Sequence, residues 1–452
     1  MNRRLRIAVF VHEFPALSET FVLNQVTGLM DLGHEVTVLA VAPRQESRVH
    51  ADVERYDLSG RVRYPALPAS HLRRIVRAGL LFLRHGWRRG RVLLRCLDVR
   101  RYGRDATSLR LFFWAVRLAG EAPFDIIHCH FGPVGQLAAK LRDAGVLAGR
   151  LVTVFHGVDV SAYVRDQPDY YRFLFARGEL FLPISRAWGQ KLVELGCDSG
   201  RIQVHRMGVD VGRYPFHIRC FQPDRPLRVL TVGRMVEKKG IEYALRAVAE
   251  VVHQGIPVEY DVVGDGPLRD QLEGLAGALG LSSSVIFHGW QEQGAVSTLM
   301  NDGDILLAPS VTSADGDQEG IPVTLMEAMA TGMVVISTFH SGIPELVEHE
   351  HSGLLVPERD VGALAQALVH LTRCPDAWSS MSQAARRRVV SEFEVSRLNA
   401  GLVRHFEALL GSSSGEPAGA DVEPITRKRA PERRDGRSQI DHQRRSAASG
   451  IG

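Results

Sequence analysis

The sequence has no CxxC pair, no apolar run near the roughly 18 residues of a membrane span, and no GxGxxG turn after its first apolar stretch. Each absence excludes something. The five cysteines, Cys96, Cys129, Cys197, Cys220 and Cys374, are odd in number and far apart. That spacing excludes a cysteine metal or redox motif and predicts free buried thiols in a reducing compartment. The opening MNRRLRIAVFVHEF is broken by His12 and Glu13, so it reads as a buried strand and not as an export signal or an anchor. A cytoplasmic protein is expected, with peripheral contact to the inner face of the cytoplasmic membrane. The missing GxGxxG argues against a dinucleotide dehydrogenase. A formal net charge of only +4 argues against a general polyanion binder, and no nucleic-acid module is visible, so nucleic acid is not expected as a partner.

What is present is a rhythm of short apolar runs and helical patterns. IAVFV, EVTVLAV, DIIHCH, LVTVFHG and ELFLPIS form one set. RVLTVG, EYDVVG, SVIFHG, DILLAPS and MVVIST form a second. Strands that are apolar throughout, with helices between them, are those of parallel sheets covered on both faces. The fold class is therefore α/β, with two doubly wound domains. FHIRCFQPDRPLRVL, with two prolines and no periodicity, suits a linker. It divides an N-terminal domain over 1–217 from a C-terminal domain over 218–385. A helix over 386–410 follows, and the polar, basic composition of 411–452 predicts a disordered tail.

In such sheets ligands bind beyond the C-terminal ends of the strands, so the chemistry is sought there. After RVLTV comes GRMVEKKG, with Gly233, Arg234 and Lys239. A guanidinium and an ammonium at a strand exit can hold a diphosphate. The same residues also read as a charged surface loop. After EYDVV comes GDGPLR, in which Gly264 and Gly266 suit a tight turn. After DILLAPS a polar loop leads to EGIPVTLMEA, 319–328. Here Pro322 opens a helix whose free N–H groups and dipole favour an anion, and Gly332 stops it. Glu319 precedes that helix and Glu327 lies about one and a half turns inside it. Such acids can accept hydroxyls on either side of a phosphate, or be a favourable N-terminal charge and a solvated helix position. In the first half His156, Gly157 and Asp159 follow one strand and His128 and His130 end another. FPALSETF places Ser18, Glu19 and Thr20 after the first strand, as cleft residues or as a helix cap.

Taken together, GRMVEKKG, VGDGPLR, HGW and the E-x7-E pair resemble the retaining glycosyltransferases of family 4, which have the GT-B fold. FPALSETFVLNQV, FHGVDV and ARGELFLPISRAWGQKLVELGC further resemble the subgroup that builds exopolysaccharides, including the colanic-acid type. The resemblance covers nearly all of residues 5–410. It implies a hexose donor, a UDP- or GDP-sugar, bound in the second domain, and a lipid-linked oligosaccharide acceptor held mainly by the first. It implies a final helix that crosses back to the first domain. It makes Arg234 and Lys239 the diphosphate ligands, Glu327 the ribose ligand and Glu319 the contact to the donor sugar. Gly233, Gly264 and Gly266 shape the donor site, and the segment Gly320, Ile321, Pro322, Val323 and Thr324 supplies backbone donors from every residue but the proline. His156 falls in the HG-x-D element beside the sugar. Glu319, His156, Arg234 and Lys239 thus form the expected catalytic set. Ser18, Glu19, Thr20 and His130 lie on the acceptor side. The resemblance implies transfer with retention, no cofactor and no bound metal. Many relatives carry Gly-Gly where this chain has Ser18-Glu19, so acceptor-side detail differs. Two alternatives share this plan: a nucleotide-sugar epimerase and a non-catalytic sugar-nucleotide-binding partner. A two-lobed solute-binding protein is a third, and the lack of an export signal counts against it.

One stretch is left over. HLRRIVRAGLLFLRHGWRRGRVLLRCLDVRRYGR, 71–104, is dense in arginine with Leu, Val, Phe and Trp between. It reads as an amphipathic helix for an anionic membrane surface, or as a solvated helix pair.

Overall fold

The computed structural model of the protein describes residues 3–15, 20–44 and 50–411. Ser18, Glu19 and the tail assigned to 411–452 beyond Gly411 lie outside the described residues.

Among the described residues twelve strands form two parallel sheets. The first holds β1 (Arg6–Phe14), β2 (Glu35–Pro43), β3 (Val62–Arg63), β4 (Ile126–His130), β5 (Arg150–Phe155) and β6 (Leu180–Pro183), in the order β3-β2-β1-β4-β5-β6. The second holds β7 (Leu227–Val232), β8 (Val258–Val263), β9 (Val285–Gly289), β10 (Ile305–Ala308), β11 (Val334–Thr338) and β12 (Leu354–Val356), in the order β12-β11-β10-β7-β8-β9. Counted from its own first strand, each sheet has the same order, that of a doubly wound nucleotide-binding domain. The central strands are almost wholly buried because helices cover both faces of each sheet, whereas β8 (VEYDVV) and β9 near the edge of the second sheet carry exposed positions. In the second sheet Val229, Ile305 and Ile336 enter one core cluster while Leu230, Leu306 and Val335 enter the other, as the two-residue period of a strand requires.

The chain crosses between the domains twice. The return uses two helices, Asp376–Glu392 and Val395–Gly411, where the sequence pattern suggests one over 386–410. The first stays on the second domain, against the helix Val323–Thr331. The second sends Leu402, Val403 and Phe406 into the core of the first domain. The break between them lies beside the outgoing linker. Val209 N–H donates to Phe393 O at 2.9 Å, and Val395 N–H donates to Val209 O at 3.0 Å. Two strands of chain, hydrogen-bonded to each other, thus form the joint.

Candidate active site

The exits of β7, β10, β11 and β12 converge on one buried carboxylate. Glu319 Oε2 pairs with Lys239 Nζ at 3.0 Å and Oε1 with Lys238 Nζ at 3.2 Å. Lys238 also holds Asp317 at 2.9 Å, so two lysines and two acids form a neutral quartet. Burial raises the Glu319 pKa, but the two ammoniums more than reverse this and hold it down to about 2. The carboxylate is ionised throughout the working range. Its backbone is fixed as well. Glu319 N–H donates to His340 Nε2 at 3.1 Å, and the other ring nitrogen, Nδ1, lies 2.6 Å from Glu358 Oε1. Because Nε2 accepts, Nδ1 carries the proton.

Arg234 stands apart from the quartet. It is exposed and has no ion-pair partner among the described residues, so its guanidinium is the free cation at the β7 exit. Gly264, in the next loop, has φ +133°, and a Cβ there would lie 1.9 Å from Gly233 O. Only glycine lets the β8 loop close against the β7 loop. Gly266 sits against Met235 in the same turn.

The helix Val323–Thr331 begins with Pro322 as its cap and ends at Gly332 in the left-handed region. Glu327 lies in its second turn and accepts a hydrogen bond from Tyr214 Oη at 2.7 Å. Burial raises the Glu327 pKa, and the Tyr214 bond opposes that. A small cavity between the domains is lined by Thr20, Phe21, Asn24, Tyr214, Val323 and Glu327, among others. Glu327 and Thr20, assigned by sequence to opposite sides of the reaction, thus share one cavity. Among the described residues Glu319 and Glu327 share no side-chain hydrogen-bond partner.

On the first domain, Asp159 fixes the loop after β5. Its Oδ1 accepts the N–H groups of His156 and Gly157 at 3.0 and 2.8 Å, and its Oδ2 accepts that of Gly132 at 3.0 Å. The HG-x-D element is therefore a staple that holds His156 in place. His156 Nε2 lies 3.1 Å from His130 Nδ1, with the rings stacked, and His156 Nδ1 lies 3.1 Å from Met207 Sδ. Burial pushes His156 well below the ordinary histidine pKa, with His130 adding to it, and burial pushes His130 down to about 3. Both rings are neutral. His130, 1% exposed, packs against His156, and the two line a second small cavity with Phe21, Met207 and Asn399.

The two loops meet at Gly320. A Cβ there would come within 2.6 Å of Ile184 Cδ1 and 2.8 Å of His156 O. Glu319 and His156, distant in sequence, are thereby brought to one junction. Sequence reasoning missed Lys238, although it stands beside Lys239 in EKKG. It also missed Asp317, His340, Tyr214 and Met207. Tyr214 and Met207 lie in the interdomain segment, where no periodicity or motif marks them.

Comparison with known proteins gives the family. Residues 18–213 match the family described as Glycosyltransferase Family 4, and residues 219–388 match Glycosyl transferases group 1. A protein of Escherichia coli (strain K12) named as a colanic acid biosynthesis glycosyltransferase, WcaL, is 38% identical over 415 residues, covering 90% of this chain and 100% of its own. The amylovoran biosynthesis glycosyltransferase AmsK of Erwinia amylovora is 40% identical over 395 residues, covering 86% of this chain and 96% of its own. The crystal structure of Anabaena HepE in complex with UDP shares the fold, with a TM-score of 0.64 and 17% identity over 89% of this chain and 100% of that one. On these matches, along both domains, the chain belongs to the family 4 glycosyltransferases and has their GT-B fold.

Proposed function

We propose that the protein moves a hexose from a nucleoside-diphosphate sugar to a lipid-linked oligosaccharide during exopolysaccharide synthesis, with retention of anomeric configuration. The observation that carries this is the arrangement at the second sheet: a free Arg234, a Lys239 and a helix N-terminus around one ionised, buried Glu319. The names of the relatives support the polysaccharide context.

In this reading Arg234 and Lys239 bind the diphosphate together with the N–H groups of Gly320, Ile321, Val323 and Thr324, Pro322 having none. Lys239 has three donors, so it can keep Glu319 and still reach a phosphate oxygen. Glu319, too negative to face phosphate, accepts hydroxyls of the donor sugar. Glu327 accepts the ribose hydroxyls. In the chemical step the C1–O bond to the leaving phosphate breaks and a bond from the acceptor oxygen forms on the same face of the ring. The acceptor proton passes to the leaving phosphate oxygen. The cations and helix dipole lower the barrier by matching the charge that develops on the diphosphate. His156, beside the sugar in this reading, has its two ring nitrogens against His130 and Met207, so it would exchange one of these contacts to meet a sugar hydroxyl. UDP and GDP are the two candidate nucleotides, and UDP in the HepE crystal structure supports the first. Family membership disfavours the epimerase alternative.

The test is calorimetry with UDP and GDP, followed by mass spectrometry of donor hydrolysis across a set of UDP- and GDP-sugars. One nucleotide should bind, and Arg234→Ala should weaken it at least ~10-fold, the scale of one lost charge-assisted hydrogen bond. Indifference to both nucleotides would overturn the proposal. Binding without hydrolysis or transfer would favour the non-catalytic partner.

A further inference from the structure

The helix His71–Arg95 carries a face that the donor site does not explain. Ala78 and Leu93 enter the core of the first domain, with Phe82 against it. The opposite side is bare. Leu72, Ile75, Val76, Leu80, Leu83 and Trp87 are all exposed, Leu83 at 81% and Trp87 at 77%. At about 100° per residue these six fall within an arc of about 140°. Arg73, Arg77, Arg84 and Arg88 fall in the next ~60° of the same wheel. The helix contains eight arginines and no Asp or Glu, and among the described residues none of the eight forms an ion pair. Elsewhere in the chain arginines are commonly paired, as Arg142 is with Glu179 and Arg225 with Asp304.

An apolar stripe beside a row of unpaired cations is costly in water and matches a surface that is both oily and negative. Duplex nucleic acid offers phosphate but nothing to cover leucine and tryptophan. A bilayer of anionic lipid offers both. We propose that this helix lies in the headgroup boundary of an anionic membrane, with Leu72, Val76, Leu83 and Trp87 among the acyl chains and the Arg73–Arg77–Arg84–Arg88 row on lipid phosphate. For its purpose the inference rests on the reading of a lipid-linked acceptor; the surface itself rests on exposure and charge. The helix starts seven residues after β3, and Tyr64 at that exit donates to Phe14 O at the end of β1. It therefore begins at the cleft edge of the first sheet, the edge that also carries Thr20. No helix among the described residues is long and apolar enough to cross the membrane, so the contact is one of lying on the surface.

The experiment is co-sedimentation of the full chain with vesicles of phosphatidylglycerol and phosphatidylcholine, or of phosphatidylcholine alone, at low and high salt. Two variants separate the parts: Leu83→Ser with Trp87→Ser, and Arg77→Gln with Arg84→Gln and Arg88→Gln. All these positions are exposed, and an unchanged melting temperature confirms the fold. The expected result is selective, salt-sensitive binding to the anionic vesicles, weakened at least ~10-fold in each variant. Equal binding to both vesicle types, unchanged binding in both variants, or preference for duplex DNA over vesicles overturns it. UDP and GDP calorimetry without lipid is run on the same proteins, so that loss of the donor reading is seen separately from loss of this one.

Discussion

Lys239 and Glu319 form a 3.0 Å ion pair inside the second domain, and Lys238 braces the same carboxylate from its other oxygen. The pair gives the two lysines different work. Lys238 is held between two acids, Asp317 and Glu319. Lys239 has one acid partner and N–H groups to spare. Lys239→Met should therefore weaken UDP or GDP binding by ~10–100-fold, the range for a lost hydrogen bond to a charged group. Glu319→Gln removes a negative charge from beside the phosphate site. It should leave nucleotide binding equal or tighter while turnover falls. Calorimetry and initial rates check both. Equal weakening of binding by the two substitutions would show a purely structural quartet.

Acid should loosen the first domain before it touches the carboxylates. His128, His130 and His205 are buried, and burial, with neighbouring histidines acting on His128 and His205, lowers their pKa values: His130 and His205 to about 3, His128 well below the ordinary range. A base with a depressed folded pKa is held neutral in the fold. The unfolded chain takes up protons below its reference value of 6.5, and the fold does not. Stability is thus full above pH 6.5 and falls as pH drops toward about 3. Each histidine contributes a loss of up to roughly 1.4 kcal/mol per pH unit in that window. From pH 7 to pH 5.5 the first-domain melting transition should fall by roughly 5–10 °C. His130→Gln should reduce the slope. Glu319, with its folded pKa near 2 against 4.5, contributes stability that is lost only below about pH 4.5. A melting temperature flat to pH 5 would refute the histidine account.

Five strands of each sheet were legible as short apolar runs, whereas the outermost β3 (Val62–Arg63) and β12 (Leu354–Val356), two and three residues long, were too short to show a pattern. The candidate site loops could be located for the same reason: Arg234, Lys239, Glu319 and Glu327 follow strands that the apolar runs mark. What stayed hidden depends on contacts between distant segments. Tyr214 reaches Glu327 from the linker, and Met207 reaches His156 from the same stretch. His340 supports Glu319 from a different strand exit. Asp159 was visible in the sequence, but its task as a backbone staple appears only when Gly132 is seen beside it. The break at Phe393 and Glu394 was hidden because helical periodicity on both sides runs nearly in phase through it.

The closed junction between the domains depends on Gly320, which leads to a last prediction. A second-domain acid, Glu345, accepts the N–H of Arg186 at 2.7 Å and so caps a first-domain helix across the cleft. The loops of His156 and Gly320 meet nearby with no room for a methyl group, since one neighbour is backbone, His156 O, and cannot swing aside. Gly320→Ala should hold the two loops apart by a fraction of an ångström to an ångström. The second domain keeps its arginine, lysines and helix, so UDP or GDP affinity should change little. Transfer needs both domains in register, and a misplacement of this size costs turnover on the order of 100-fold. Glu345→Gln retains an oxygen for the cap and loses only charge toward Arg206, 3.7 Å away, so it should cost far less. Rates and nucleotide affinities measured on both variants decide the matter. Wild-type turnover in Gly320→Ala would mean that the productive state is more open than this one.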